Sequence, residues 1–237
     1  MNRNTAAGKC VHCLKTFDRL TWDHVFPKSW YPDTTPENLN KWKVPSCREC
    51  NGELGTIEEE FFRLVGLCLD PDTPATQGIV PKVLRSMRAA EKNSEKENII
   101  RESIRQKVLK KAMEGTKIPL EGIIPGLHEK WGRPIGEQVA FAVPAQSVHR
   151  ITEKIVRGIC YIEDQSYIEP PAKIEFFMFS PDDATAIQEM FGAKEEVFSC
   201  GPGIVVRKTV APEDGITSFF VIEFWGQFKT YASVTYD

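Results

Sequence analysis

The spacing of apolar residues predicts a small irregular unit near the start of the chain, followed by a helix. Residues 10–55 are rich in Cys, Trp, Pro and Asn and show little helical periodicity. The sequence Thr56-Ile57-Glu58-Glu59 is a capping-box pattern, which predicts that a helix begins there. The apolar face of this helix comprises Ile57, Phe61, Leu64, Val65 and Cys68. We expect the helix to end near Asp70-Pro71, before a linker rich in Pro and Gly.

The middle of the chain predicts further helical structure. Residues 81–113 have helical character with an interruption near Asn93-Ser94. Ser94-Glu95-Lys96-Glu97 is a second capping box, and Gly115 predicts the end of the helix that follows. Residues 118–145 contain many Pro and Gly residues, so we expect irregular or short extended structure there.

The last part of the chain predicts a helix followed by a sheet. One face of the helix carries Val148, Ile151, Ile155 and Ile159. An aromatic-rich strand is expected from Lys173 to Phe179, and a second helix from Ser180 to Gly192. Gly226-Gln227 predicts a two-residue hairpin turn between the last two strands. The remaining strands are expected near residues 203–210, 217–225 and 228–235.

The distribution of charge separates a basic middle from an acidic end, although the formal net charge is only −3. Residues 82–117 hold eleven basic and five acidic side chains, and residues 118–237 carry a net charge of −7. A basic segment is typical of proteins that bind polyanions, but charge alone favours a solvated helix for residues 82–117. The chain has no apolar run long enough to cross a bilayer and no apolar leader at its start, so we expect a cytoplasmic protein without a membrane partner.

Four of the seven cysteines predict a zinc site. Cys10-Val11-His12-Cys13 and Cys47-Arg48-Glu49-Cys50 are both C-x2-C motifs, and 33 residues separate them. Each motif lets a turn aim two thiolates at one tetrahedral ion, and a complete shell of four sulfurs leaves no position for water. We therefore expect a structural zinc at Cys10, Cys13, Cys47 and Cys50. We also expect His12 to be exposed, and the remaining cysteines to be core residues: Cys68, Cys160 and Cys200.

The segment between the cysteine pairs carries three further motifs. These are Trp22-Asp23-His24-Val25-Phe26-Pro27-Lys28-Ser29, then Asn38-Leu39, and then Cys50-Asn51. In this order they resemble the HNH endonuclease family, whose ββα-metal motif has Asp-His-x-x-Pro, Asn-Leu, and Cys-x-x-Cys followed by His or Asn. Many members carry zinc-binding cysteine pairs around the motif. The resemblance covers residues 10–51 and says nothing about residues 82–237.

The resemblance implies a metal-dependent phosphodiesterase centre. His24 would activate water as a general base, since an imidazole titrates near neutral pH. Asp23 and Asn51 would hold a single Mg²⁺ or Mn²⁺, and Asn38 would brace the hairpin that positions His24. We expect four basic residues to contact phosphates of the nucleic acid, namely Lys28, Lys41, Lys43 and Arg48.

Three features depart from the family pattern. Asn51 stands in place of the family's final histidine, which favours oxygen-preferring ions such as Mg²⁺ or Mn²⁺. Asn38 lies nine residues before Cys47, a longer separation than in compact members, so Asn40 is an alternative bracing residue. Gly52-Glu53-Leu54-Gly55 stands where many relatives place a lysine, so that phosphate contact is missing or comes from elsewhere.

These patterns together predict an α+β protein with three parts. Residues 1–69 would form an HNH-type zinc and nuclease module built on a small zinc-stabilised ββα-metal unit. Residues 70–117 would form a linker and a basic helical segment. Residues 118–237 would form an α+β domain with a helix and an antiparallel sheet, and no motif assigns chemistry to it.

We expect an endonuclease that hydrolyses phosphodiester bonds in DNA and leaves 5′-phosphate and 3′-hydroxyl ends, with RNA left open as a substrate. One alternative is a zinc-stabilised nucleic-acid-binding module whose nuclease centre is inactive. Another is an interaction scaffold, in which the acidic half binds a protein and the zinc unit is only structural. The oligomeric state is open, and a homodimer is one of the options.

Overall fold

A computed structural model of the chain describes residues 7–114, 139–177, 186, 195–199, 201 and 203–236. Within those residues the protein has the predicted α+β architecture, with four α-helices, short hairpins near the amino terminus and a five-stranded antiparallel sheet. The predicted helix at Ser180–Gly192 and most of the segment 118–145 lie outside the described residues, as does Cys200. None of the described helices combines the length and the apolarity that crossing a membrane requires.

Two short antiparallel hairpins form the start of the fold. Strand β1 (Gly8–Lys9) pairs with β2 (Thr16–Phe17), and β3 (Thr21–His24) pairs with β4 (Lys43–Ser46). A short 3-10 helix, Lys28–Trp30, lies in the connection between β3 and β4. Successive side chains of β3 point to opposite faces of the hairpin, so Asp23 is buried whereas Trp22 is exposed.

Helix α1 (Arg48–Gly66) follows β4 directly, so the chain runs in ββα order. Its N-cap is Cys47, whose Sγ accepts a hydrogen bond from the Cys50 amide at 3.4 Å. The prediction that this helix begins at Thr56 is wrong, because the cysteine already caps the helix upstream. The Thr56 hydroxyl instead donates to the Gly52 carbonyl inside the helix at 3.2 Å.

Three further helices lie where the sequence predicts helical structure, but the prediction that the middle segment stays helical to Gly115 is wrong. Its last helix ends at Leu109, because Ala112–Glu114 form a strand that pairs with Val139–Phe141. Helix α2 covers Ile79–Met87 and α3 covers Glu95–Leu109. The Ser94 hydroxyl accepts a hydrogen bond from the Glu97 amide at 3.2 Å, which confirms the second capping box. Helix α4 covers Ala145–Glu163. It buries the predicted apolar face of Val148, Ile151, Ile155 and Ile159.

The remaining strands include one short pair and the main sheet. Their bounds are β5 (Ala112–Glu114), β6 (Val139–Phe141), β7 (Ala172–Phe177), β8 (Glu195–Ser199), β9 (Ile204–Val210), β10 (Ser218–Phe224) and β11 (Phe228–Tyr236). Strands β5 and β6 pair with each other, and the sheet has the order β7-β11-β10-β9-β8, antiparallel throughout.

The hairpin between β10 and β11 differs from the predicted two-residue turn. Phe224 pairs with Phe228, so its loop has the three residues Trp225, Gly226 and Gln227. Trp225 and Gly226 both have positive φ, at 53° and 67°. Glycine adopts this conformation without a steric cost, whereas the tryptophan is held in it by a side chain that is completely buried.

The amino-terminal unit and the sheet share one hydrophobic core. The rings of Trp30 and Phe61 lie 5.4 Å apart, and both rings contact Phe224 and Trp225 of the last hairpin. The Trp225 indole N–H also donates to the Trp30 carbonyl at 2.9 Å. The domain boundaries after residues 69 and 117 stay a prediction, but the buried aromatic cluster extends across both of them.

Candidate zinc centre and nuclease site

Four cysteines from two loops converge in the amino-terminal unit. The Sγ atoms of Cys10, Cys13, Cys47 and Cys50 all lie within 4.8 Å of one another, and none of them is in a disulfide. The Cys13 and Cys47 sulfurs are 3.9 Å apart. Two ligands of a tetrahedral zinc with Zn–S bonds of about 2.3 Å lie roughly 3.8 Å apart. The four cysteines therefore fit a structural zinc.

Backbone amides donate hydrogen bonds to the cysteine sulfurs, which favours the thiolate form that binds a metal. The Cys10 sulfur accepts a hydrogen bond from the Cys47 amide at 3.3 Å, and the Cys47 sulfur accepts the bond from the Cys50 amide that caps α1. Burial of the Cys10 thiol disfavours its thiolate, but the surrounding amide donors outweigh burial and lower the pKa to about 7. Because zinc binds the thiolate, an easily ionised thiol is a suitable ligand.

The Asp-His pair lies at the end of β3, and its two side chains face opposite sides of the hairpin. Asp23 pairs with Val44 and His24 pairs with Lys43, so both residues belong to the regular ladder. Asp23 is buried, whereas His24 is half-buried and shares its side of the strand with the exposed Trp22. The regular strand therefore separates the carboxylate from the imidazole.

Asp23 lies in a buried polar cluster with His12, Glu58 and Lys154. Its Oδ2 accepts a hydrogen bond from the His12 Nε2–H at 3.0 Å, and its Oδ1 accepts one from the Lys154 ammonium at 3.0 Å. The same ammonium donates to the Glu58 carboxylate. The Lys154 side chain is 1% exposed and the His12 side chain is 4% exposed. The cluster joins the zinc-binding turn, β3, α1 and α4.

The two carboxyl groups of this cluster have opposite pKa shifts. Burial acts to raise the pKa of Asp23, but the hydrogen bond from His12 and the charge of Lys154 lower it below its ordinary value of 3.8. At Glu58 burial dominates and raises the pKa to about 7 despite the nearby Lys154. Asp23 is therefore the carboxylate that the cluster holds firmly in its ionised form.

The arrangement shows no catalytic metal site at Asp23 and Asn51. Both Asp23 oxygens are hydrogen-bonded to other side chains, and the Asn51 amide nitrogen donates to the Thr21 hydroxyl at 2.9 Å. In the part of the chain that the structure describes, the four cysteines are the one group of three or more His, Cys, Asp or Glu side chains placed to hold a metal. The Mg²⁺ or Mn²⁺ ligands stay a prediction.

His24 has the properties of a neutral proton acceptor. Its Nε2 is buried and has no hydrogen-bond partner among the described residues. Burial, followed by the positive charges of Lys28 and Lys43, lowers the pKa of His24 to about 4. The imidazole is therefore neutral at pH 7, and its buried Nε2 is an unpaired nitrogen.

The four basic residues expected at phosphates have different surroundings. Lys28 is exposed and Lys43 is half-buried, and both lie close enough to His24 for their charges to affect its pKa. The Lys41 ammonium lies over the Tyr31 ring, 5.0 Å from its centroid. Arg48 is exposed in the first turn of α1, where a helix amino terminus favours anions.

The bracing role stays a prediction for both candidate asparagines. Asn38 and Asn40 are exposed in the connection between β3 and β4. A side chain that braces a hairpin is normally buried and hydrogen-bonded, so exposure supports neither residue in this role.

Sequence reasoning missed three members of the Asp23 cluster. The expectation that His12 is exposed is wrong, because its side chain packs against Asp23. Glu58 was assigned to a capping box, although it lies within α1 and faces the interior. Lys154 did carry a signal, since it stands beside Ile151 and Ile155 on the apolar face of α4. A lysine on a buried helix face needs an acidic partner.

Comparisons of the chain with protein-family models, with curated proteins and with solved structures found no significant match. The functional interpretation therefore depends on the residues and geometry described above.

Proposed function

We propose that this protein hydrolyses phosphodiester bonds in nucleic acid, with DNA as the preferred substrate and His24 as the general base. The observation that carries the proposal is the position of His24 at the end of β3, in a β3-β4-α1 unit bounded by the four cysteines. There it presents a neutral imidazole whose Nε2 has no partner among the described residues. These features match the role that the HNH resemblance implies for this residue.

The side chains around His24 support hydrolysis of a phosphodiester in a consistent way. The imidazole accepts a proton from water as the water oxygen bonds to phosphorus, the bond from phosphorus to the 3′ oxygen breaks, and the departing 3′ oxygen takes a proton from solvent. Lys28 and Lys43 bind the phosphate oxygens and neutralise their charge. Arg48 and the free amides at the start of α1 provide a further anion site. No step of this hydrolysis is assigned to Mg²⁺ or Mn²⁺, because Asp23, the expected ligand, is bound to Lys154.

The experiment that tests this proposal compares two histidine variants in a plasmid-nicking assay with Mg²⁺ or Mn²⁺. We expect His24→Ala to reduce the cleavage rate by roughly 100-fold or more, because a positioned general base contributes at least that factor. His149→Ala is the matched control, since His149 is also half-buried but stacks on Phe176 of the sheet. Both variants are expected to keep the wild-type circular dichroism. Equal nicking by wild type and His24→Ala would contradict the proposal.

One observation favours a second function, which is nucleic-acid binding without cleavage. The bonds from His12 and Lys154 leave Asp23 without a free oxygen for a metal. This function predicts binding that weakens steeply with salt, because phosphate contacts release counterions, and no turnover with either metal. An interaction scaffold would instead show no salt-dependent binding to DNA at all. Titrating labelled DNA at several salt concentrations separates the two.

The cellular setting follows from the cysteine chemistry. A zinc site of four thiolates needs a reducing compartment, so we infer a cytoplasmic location. A homodimer stays one option for the oligomeric state.

A further inference from the structure

Asp23 is a metal ligand according to the HNH resemblance, but in this structure its carboxylate is bound by a lysine. The carboxylates of Asp23 and Glu58 approach one position from β3 and α1, and the Lys154 ammonium lies between them. A buried carboxylate that stays ionised, as Asp23 does, needs a cation beside it. In this protein the cation is a side chain of the chain itself.

The neighbours of the ammonium explain why it holds this position. His12 takes the second oxygen of Asp23, so the carboxylate cannot turn to offer a free oxygen without losing a buried hydrogen bond. The apolar face of α4 holds Lys154 in place, with Ile151 and Ile155 on either side of it. Because 131 residues separate Asp23 from Lys154, this contact links the nuclease unit to the carboxyl-terminal half.

A small cleft borders the cluster. It is lined by His12, Leu54, Arg150, Glu153, Lys154 and Arg157. Arg150 and Arg157 both bind Glu153, so this acid is already paired. His12 and Lys154, the two side chains bonded to Asp23, both line this cleft.

We propose that Lys154 is an internal cation that closes Asp23 to divalent metal ions, and that a metal binds at Asp23 only when the ammonium has left it. The inference rests on the proposed function, because Asp23 is a metal ligand only in that context. It assigns α4 the role of controlling metal access to the nuclease unit.

The test measures Mn²⁺ binding to the full-length, zinc-loaded protein by electron paramagnetic resonance. The main variant is Lys154→Met combined with Glu58→Gln, which removes the ammonium together with one of its two acidic partners and leaves Asp23 as the acid of the cluster. We expect it to bind Mn²⁺ at least about tenfold more tightly than wild type, a usual size for coupling between competing states. Adding Asp23→Asn to this variant is expected to abolish the gain.

The matched control is Lys208→Met, because Lys208 is also a buried lysine in an ion pair, with Asp164 at 2.6 Å, and lies in β9. It is expected to leave Mn²⁺ affinity unchanged. Circular dichroism and zinc content show whether each variant is folded. If the methionine variant does not fold, Lys154→Gln provides a second one, because its amide can still donate to Asp23 but carries no charge. A gain in the same direction is expected, smaller than with methionine because the amide still competes for Asp23.

Two results would overturn the inference: a folded variant that binds Mn²⁺ no more tightly than wild type, or a gain that survives Asp23→Asn. Failure of the proposed function looks different. A gain in Mn²⁺ binding with no cleavage by any variant supports the closure of Asp23 by Lys154 and contradicts the proposed nuclease activity. Cleavage by wild type that depends on His24, without a gain in Mn²⁺ binding by the variant, supports the nuclease activity and contradicts the closure of Asp23 by Lys154.

Discussion

Among single residues, Cys47 has two roles in the amino-terminal unit. Its sulfur belongs to the group of four cysteines and also accepts the hydrogen bond that caps α1. A structural zinc at this position would therefore hold the first turn of α1 against the turn that carries Cys10 and Cys13. The predicted ligand set is confirmed in its geometry, since the four sulfurs are close enough for one ion.

Replacing Cys47 with serine separates these two roles, because serine is a good helix cap but a poor zinc ligand. We expect Cys47→Ser to lose most of the bound zinc and to lower the free energy of unfolding by more than about 3 kcal/mol, since metal binding contributes directly to folding. Elemental analysis and thermal unfolding measure both effects. Cys68→Ser is the control, as Cys68 lies outside the group and is partly exposed, contrary to its expected place in the core. Full zinc content in Cys47→Ser would rule out this site.

The Asp23-His24 motif and its surroundings in the fold indicate different roles for Asp23. The sequence Asp23-His24 resembles the family pattern, but burial lowers the pKa of His24 to about 4, below the near-neutral value expected of a general base. The same motif could not reveal that Asp23 is bound to Lys154 and His12. A motif describes neighbours along the chain, whereas the charge of a carboxylate depends on its neighbours in space.

Among the elements, α4 connects the amino-terminal unit with the sheet. It packs on α1 and β4 on one side and on β7 and β11 on the other. The helix approaches the hairpin closely at Gly158, where an added Cβ would lie 2.8 Å from the Val25 side chain. Val25 is buried and β-branched, so it has little freedom to move away. The absence of a side chain at position 158 allows this close packing.

Two glycine substitutions test the packing of α4. We expect Gly158→Ala to lower the free energy of unfolding by roughly 1 kcal/mol, because overpacking costs about 1–3 kcal/mol and exceeds the gain in helix propensity. Gly55→Ala in α1 is the matched control, since nothing lies within 4 Å of its added Cβ. It is expected to stabilise the protein by up to about 1 kcal/mol. Urea unfolding measures both, and a stabilising Gly158→Ala would show that α4 is less closely packed than described.

At the scale of the whole molecule, the core does not follow the three predicted parts. Trp225 of the last hairpin lies among Trp30, Phe61 and Phe62 of the amino-terminal unit and donates to the Trp30 carbonyl. A unit of about forty residues has too little apolar surface for a stable core of its own. The sheet supplies part of the missing surface, in addition to any stabilisation by zinc.

Replacing Trp225 with alanine tests whether the unit and the sheet unfold together. We expect a loss of roughly 3–5 kcal/mol, because a large buried ring is removed and a buried carbonyl loses its donor. Release of zinc and loss of sheet structure should shift to the same lower temperature. Zinc release monitored with a chromogenic chelator, together with circular dichroism, gives both midpoints. Unchanged zinc release beside an early loss of the sheet would instead support the independent domains predicted from the sequence.

The features that the amino-acid sequence predicted correctly depend mostly on residues close together in the chain. The Ser94 cap, the buried face of α4 and three of the strands follow from local periodicity and turn chemistry. The zinc ligands follow from the spacing within each cysteine pair. Local patterns are reliable because backbone hydrogen bonds and the burial of one face act over a few residues.

The features that required the tertiary structure depend on residues far apart in the chain. Packing of α4 on α1 and β3 brings Lys154 to Asp23 and to Glu58, across 131 and 96 residues. The order of strands in the sheet and the shared aromatic core likewise depend on contacts between residues far apart in the chain. The sequence therefore identified the candidate zinc site and the candidate base, and the fold determined that Asp23 is bound to a lysine. Burial makes that pairing necessary, because a carboxylate away from water needs a cation beside it.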